Sequence, residues 1–241
     1  MPMARGEQAG LADVVRSLAF YAAFYGGSLV LVIWALLQLV FAPGRVRATA
    51  RRWSDFHRVC LRHLLGIRIA VTGDLPTGPA LIACKHESFF EAIDTLSLHH
   101  EPAVFAKAEL MRIPLWGRVA QAQGLIPVSR DQGARALRAM VGAARRASDD
   151  GRQLVIFPEG TRVPHGSRAK LQAGFAGLYK LLDLPVVPVA VASGDLYHRT
   201  WKRPGTIAIQ IGETIPAGLT REEIEYRVLE AINALNTSET K

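Results

Sequence analysis

The 241-residue chain reads as an α/β fold: a single domain with a largely parallel or mixed central sheet covered by helices, preceded by a pair of amino-terminal helices. Three observations lead there. Seven short β-rich runs, IRIAVTG, ALIAC, PAVFA, LIPVS, LVIF, VVPVAVA and TIAIQIG, follow one another between residues 67 and 212. Helix-length segments lie between or after them at 88–98, 114–122, 132–149, 171–182 and 220–236, and apolar strands joined through helices form a sheet covered on both faces. Ahead of these, residues 17–44 hold no ionisable side chain except two tyrosines.

That apolar run, at about 1.5 Å rise per residue, covers a hydrocarbon layer of roughly 30 Å with tilt to spare. It is too long for the core of a signal peptide, and no small-residue cleavage site follows it. Gly26 and Gly27 interrupt it with two poor helix formers, so the expectation includes a bent or shallowly inserted helix. Beyond Pro43 and Gly44, Val46, Ala50, Trp53, Cys60 and Leu64 recur at helical spacing among Arg45, Arg51, Arg52, Arg58 and Arg62. An apolar stripe with a tryptophan among many arginines describes a helix lying at a membrane surface among anionic headgroups. Arginines directly after an apolar run also mark the cytoplasmic side, which puts the rest of the chain in the cytoplasm.

The organisation expected is therefore 1–66 as membrane-associating helices, 67–236 as the folded domain and 237–241 as a frayed tail. The net charge of +8 favours an anionic partner. Because much of the basic excess adjoins lipid-seeking sequence rather than a stacking or groove-reading motif, that partner is expected to be lipid and not nucleic acid. Cys60 and Cys84 lack metal-type spacing, and the adjacent His99 and His100 have no cysteine nearby, so no metal site is expected.

In α/β sheets chemistry gathers where strands end, which singles out KHESFFE, GLIPVSR and FPEGTR. The strand ALIAC ends at Cys84, and Ser88 followed by Glu91 has the form of a helix capping box. His86 then lies just before a helix, whose positive end keeps an imidazole neutral and able to accept a proton. A carboxylate on its other nitrogen would fix the tautomer. Glu87, Glu91 and Asp94 are all near in sequence. On a regular helix His86 and Glu91 stand roughly 140° out of phase, so only a turn leading into a helix brings them together. Glu87 points elsewhere, and Asp94 reaches back only if the entry loop folds over.

The stretch HESFFE resembles the H-x4-D/E block of the glycerolipid acyltransferase family, which includes the 1-acylglycerol-3-phosphate acyltransferases. GLIPVSR resembles the family's second block, FPEGTR its third and VVPVAV its fourth, in the family's order across residues 80–192. The helix pair is also similar to the membrane-docking pair of bacterial members. The resemblance implies acyl transfer from a thioester of coenzyme A or acyl carrier protein to the sn-2 hydroxyl of 1-acylglycerol 3-phosphate, giving phosphatidic acid. His86 is then the general base and Glu91 its partner, although aspartate is commoner at that position. Arg130 and Arg162, together with Lys107, are expected to hold the acceptor's phosphate. Glu159 is expected to orient the acceptor or pair with an arginine, Gly160 to allow a sharp turn beside the ligand, and Thr161 to donate a hydrogen bond. No cofactor is implied beyond the thioester co-substrate. The partners are a lysophospholipid, the acyl carrier and membrane lipids, at the cytoplasmic (inner) membrane with the catalytic domain facing the cytoplasm. The same chemistry on another acceptor, such as a lyso-ornithine lipid, is the nearest alternative. A non-catalytic lipid-binding protein is the alternative from another class.

Overall fold

A computed structural model describes residues 9–128 and 133–236. Helix α1, Leu11–Phe41, runs through Gly26 and Gly27 as one helix. Gly27 serves packing: the ring of Phe56 occupies the space a side chain at that position would need. A short turn at Pro43–Arg45 reverses the chain into α2, Val46–Cys60, which continues through a widened turn to Leu65 and stops at Gly66 with φ 70°. The two helices lie antiparallel. Thr49 donates to Gln38 at 2.8 Å, Trp53 Nε1 donates to Ser28 at 2.8 Å, and Phe24 meets His57 with ring centroids 4.9 Å apart. One face of α1 is thereby buried through Phe20, Phe24, Ala35 and Gln38, while Val15, Leu18, Leu29, Ile33, Trp34 and Leu37 remain exposed on the other.

All seven β-rich runs are strands: β1 Ile67–Thr72, β2 Leu81–Cys84, β3 Ala103–Lys107, β4 Ile126–Val128, β5 Leu154–Ile156, β6 Val186–Ala192 and β7 Gly205–Ile211. They form one mixed sheet in the order β1-β7-β6-β2-β5-β3-β4. Strands β6, β2, β5, β3 and β4 are parallel, so their carboxyl ends share one edge. β7 runs antiparallel to β6, and the segment 193–204 between them therefore lies over that same edge. β1 pairs with β7 in parallel from Ile67 opposite Gly205, so α2 delivers the chain to the sheet there as well.

Helices α3 Phe89–Leu98, α4 Trp116–Gln123, α5 Gly133–Asp149, α6 Gly174–Leu182, α7 Gly194–Tyr197 and α8 Arg221–Ile232 complete the fold. Successive strand residues face opposite sides. Ile82, Val155 and Val187 pack with Phe20, Phe24, Leu61 and Phe90, whereas Leu81, Leu154 and Val186 pack with Phe175, Leu178, Ile224 and Val228. Burial on both faces explains why the strands read as continuous apolar runs without alternation. It also places the amino-terminal helices and the sheet around a common core.

Candidate active site

His86 stands two residues beyond β2, in the turn that enters α3. Ser88 is extended, with φ −145°, and its hydroxyl accepts the Phe90 N–H at 3.0 Å. Glu91 returns the cap by accepting the Ser88 N–H at 2.9 Å. This is the turn-into-helix geometry that regular phase alone cannot supply. It leaves the Glu91 Oε2 atom 3.3 Å from His86 Nδ1. The other carboxylate oxygen accepts a short hydrogen bond from the Ser193 hydroxyl, at the carboxyl end of β6. Capping and histidine orientation are thus two roles of one buried carboxylate.

The His86 imidazole lies on Phe157, with centroids 4.4 Å apart and planes inclined by 30°. Its side chain is 16% exposed against 1% for Glu91. With the carboxylate at Nδ1, the proton of the neutral ring belongs on Nδ1 and the lone pair on Nε2. Nε2 has no protein hydrogen-bond partner among the described residues and is left to accept a proton from a substrate.

The other acids nearby are engaged elsewhere. Asp94 receives two hydrogen bonds from the Arg58 guanidinium of α2, at 2.6 and 2.8 Å. Glu87 accepts the N–H groups of Ser193 and Gly194 at 2.8 Å each and faces His165 Nδ1 at 2.9 Å. Burial pushes the carboxyls of both Asp94 and Glu87 up, and these donors pull them back. Ser193 therefore touches Glu91 through its hydroxyl and Glu87 through its main chain. No sequence motif marks Ser193, although it immediately follows β6 as KHESFFE and FPEGTR follow their strands.

In FPEGTR, Gly160 has φ 67° and donates its N–H to the Phe157 carbonyl at 2.9 Å, making the sharp turn expected of it. Glu159 is buried, and its partner is Lys85 at 2.7 Å instead of an arginine. Lys85 also donates to Asn233 Oδ1 at 2.8 Å and to the Ser167 carbonyl at 3.0 Å, while the second Glu159 oxygen accepts the His86 N–H at 3.3 Å. Here Glu159 fixes the main chain at His86, with its carboxylate taken up by protein groups. The Val163 N–H closes the arrangement on the His86 carbonyl at 2.7 Å. Thr161 and Arg162 are exposed, and the Arg162 guanidinium lies 4.3 Å above the Phe89 ring at the start of α3. Lys107, the last residue of β3, is exposed on the same edge. Arg130 lies outside the described residues.

Residues 68–192 match the family model described as Acyltransferase. The chain is 30% identical over 214 residues to the 1-acyl-sn-glycerol-3-phosphate acyltransferase of Pseudomonas aeruginosa, spanning 85% of this chain and 82% of that protein. It is 27% identical over 165 residues to the 1-acyl-sn-glycerol-3-phosphate acyltransferase beta of Homo sapiens, spanning 66% and 59%. Among solved structures it is similar to the 1-acyl-sn-glycerophosphate (LPA) acyltransferase, PlsC, from Thermotoga maritima, with a TM-score of 0.68 over 92% of this chain and 93% of that one. At 21% identity the last likeness is one of fold.

Proposed function

The chain belongs to the glycerolipid acyltransferase family and is an O-acyltransferase, and from that premise we propose that it acylates the sn-2 hydroxyl of 1-acylglycerol 3-phosphate to give phosphatidic acid. The observation that carries the mechanism is the His86–Glu91 pair at the carboxyl edge of the sheet. His86 Nε2 takes the hydroxyl proton as the oxygen bonds to the thioester carbonyl carbon. The carbon–sulfur bond then breaks, and the thiolate leaves with the electron pair and recovers the proton. Glu91, at Nδ1, stabilises the imidazolium that forms. A thiolate is a good enough leaving group that no covalent acyl-enzyme and no cofactor are called for. The thioester is carried by coenzyme A or by acyl carrier protein. Lys107, Arg130 and Arg162 are assigned to phosphate, with Gly160 and Thr161 shaping the turn beside it.

An apolar amino-terminal helix together with acyltransferase relatives indicates membrane association. In our reading the exposed apolar face of α1 lies in one leaflet of the cytoplasmic membrane, and the active edge faces the cytoplasm at the headgroup level. The antiparallel packing of α1 on the arginine-rich α2 supports a helix held along the surface.

The test is a panel of acceptors in mixed detergent micelles, scored by product mass. Lysophosphatidate should be acylated far faster than monoacylglycerol, its dephosphorylated counterpart. Equal rates would remove phosphate as the handle and with it this choice of acceptor.

A further inference from the structure

Ser193 is the first residue after β6 and is fully buried. β6 is the parallel neighbour of β2, with Val189 opposite Cys84, and the Lys85 N–H donates to the Val189 carbonyl at 2.9 Å. The end of β6 therefore extends past the turn that carries His86. Ser193 reaches the catalytic pair from a strand far along the chain, 102 residues beyond Glu91.

The Glu91 carboxylate is anchored at both oxygens, and by different parts of the fold. Its Oε2 accepts the Ser88 N–H at 2.9 Å and stands 3.3 Å from His86 Nδ1. The last torsion of a glutamate has broad, shallow preferences, so a carboxylate held at one oxygen swings about that bond. A contact of 3.3 Å to Nδ1 is long for a hydrogen bond and restrains the swing weakly. At Oε1 the nearest donor is the Ser193 hydroxyl, whereas the Ser88 hydroxyl is 3.4 Å away. The two serine oxygens are 2.8 Å apart. With the Ser193 hydrogen on Glu91, Ser88 is the donor between them, and each hydroxyl hydrogen has one acceptor.

Ser193 is itself braced. Its N–H and that of Gly194 converge on Glu87 Oε2 at 2.8 Å each, and Glu87 Oε1 faces His165 Nδ1 at 2.9 Å. Glu87 is fully buried and adjoins His86 in the chain. A Cβ at Gly194 would lie 3.2 Å from that Glu87 oxygen and 3.3 Å from the His165 nitrogen, so the missing side chain admits this close approach.

We infer that Ser193 is a positioning residue for the acyl transfer. Its hydroxyl holds the Glu91 carboxylate in the orientation that presents Oε2 to His86, and Glu87 fixes the main chain from which that hydroxyl projects. Ser193 acts through Glu91 and His86 and not on the substrates. The inference rests on the proposed His86–Glu91 base pair and is independent of the acceptor's headgroup.

Ser193→Ala removes the hydroxyl and leaves both main-chain bonds to Glu87 in place. It is assayed in the full chain in detergent micelles, alone and combined with Glu91→Gln, and scored by product mass. The substrates are lysophosphatidate and palmitoyl-coenzyme A or, where the wild type turns over another acceptor and thioester faster, that pair. We expect kcat to fall about tenfold or more with KM for both substrates within about twofold. In the Glu91→Gln background the same change should lower kcat by no more than about a further twofold, because the group it positions is already disabled. Thermal unfolding shows whether each variant is folded at the assay temperature. Should Ser193→Ala not fold, Ser193→Cys keeps the shape of the side chain with a much weaker donor, and the same losses are expected of it. A kcat within twofold of the wild type, a rise in KM at unchanged kcat, or a further tenfold loss in the Glu91→Gln background would overturn the inference. Full activity in Glu91→Gln alone would remove the base pair and the inference with it, whereas a crippled Glu91→Gln beside an unaffected Ser193→Ala would remove only the inference.

Discussion

Glu91 accepts hydrogen bonds from Ser88 and Ser193 while it faces His86, whereas Asp94 is held by Arg58. The two acids should therefore separate cleanly on substitution. His86→Ala and Glu91→Gln should each lower kcat by on the order of 10²-fold or more, the typical scale of general-base catalysis. Asp94→Asn should leave kcat nearly unchanged while lowering stability by about 2 kcal/mol, because it breaks a largely buried ion pair whose arginine is partly solvated. Steady-state kinetics and thermal unfolding of the three variants check this; loss of turnover in Asp94→Asn alone would move the acid to Asp94. The histidine and its short list of acids were legible in the sequence, since strand end, capping box and helix start are all local signals. The choice between Glu91 and Asp94 was not legible from those signals, because it depends on Arg58, 36 residues away along the chain.

Among elements, the Lys85–Glu159 pair joins the end of β2 to the turn after β5, and Asn233 and Ser167 bring in the segments beyond α8 and β5. Both side chains are fully buried. Glu159→Gln would leave a buried ammonium without its counter-charge, a change that typically costs about 3–5 kcal/mol. The expected outcome is a large drop in the unfolding midpoint, with KM for the acceptor little altered in the protein that remains folded. A selective rise in that KM without loss of stability would instead make Glu159 an acceptor ligand. Reading FPEGTR locally puts the glutamate beside the site but cannot show that a lysine from another strand claims it. In the same way, Gly26 and Gly27 read as a weak point in α1, while the structure uses Gly27 to admit Phe56 from α2.

At the scale of the molecule, two buried histidines couple stability to pH. Burial holds His57 to about 3, with Lys202 and Arg58 adding to the effect, and holds His99 to about 4 even though Gln153 favours its charged form. Both stay neutral in the native fold but take up protons in the unfolded chain below its ordinary histidine pKa of 6.5. Their contribution to stability is therefore complete above that pH and is lost as pH falls toward the folded values. Between about pH 7 and pH 5 each should withdraw on the order of 2 kcal/mol. Denaturant unfolding in micelles at the two pH values checks this, and His99→Gln should flatten part of the slope. An unchanged slope in that variant would show that His99 is not responsible.

The sequence by itself determined the seven strands, most of the helices, the apolar and basic amino-terminal pair, and the strand ends at which function would gather. Each of these is written in local periodicity, in caps and in runs of one residue class. Tertiary structure decided the strand order, the antiparallel turn of β7, the burial of Glu159 against Lys85, and the bridging of Glu87 and Glu91 by Ser193. These depend on which distant segments share an edge of the sheet. A carboxylate or an ammonium has no fixed role until the fold determines whether water, a ligand or another side chain supplies its partner.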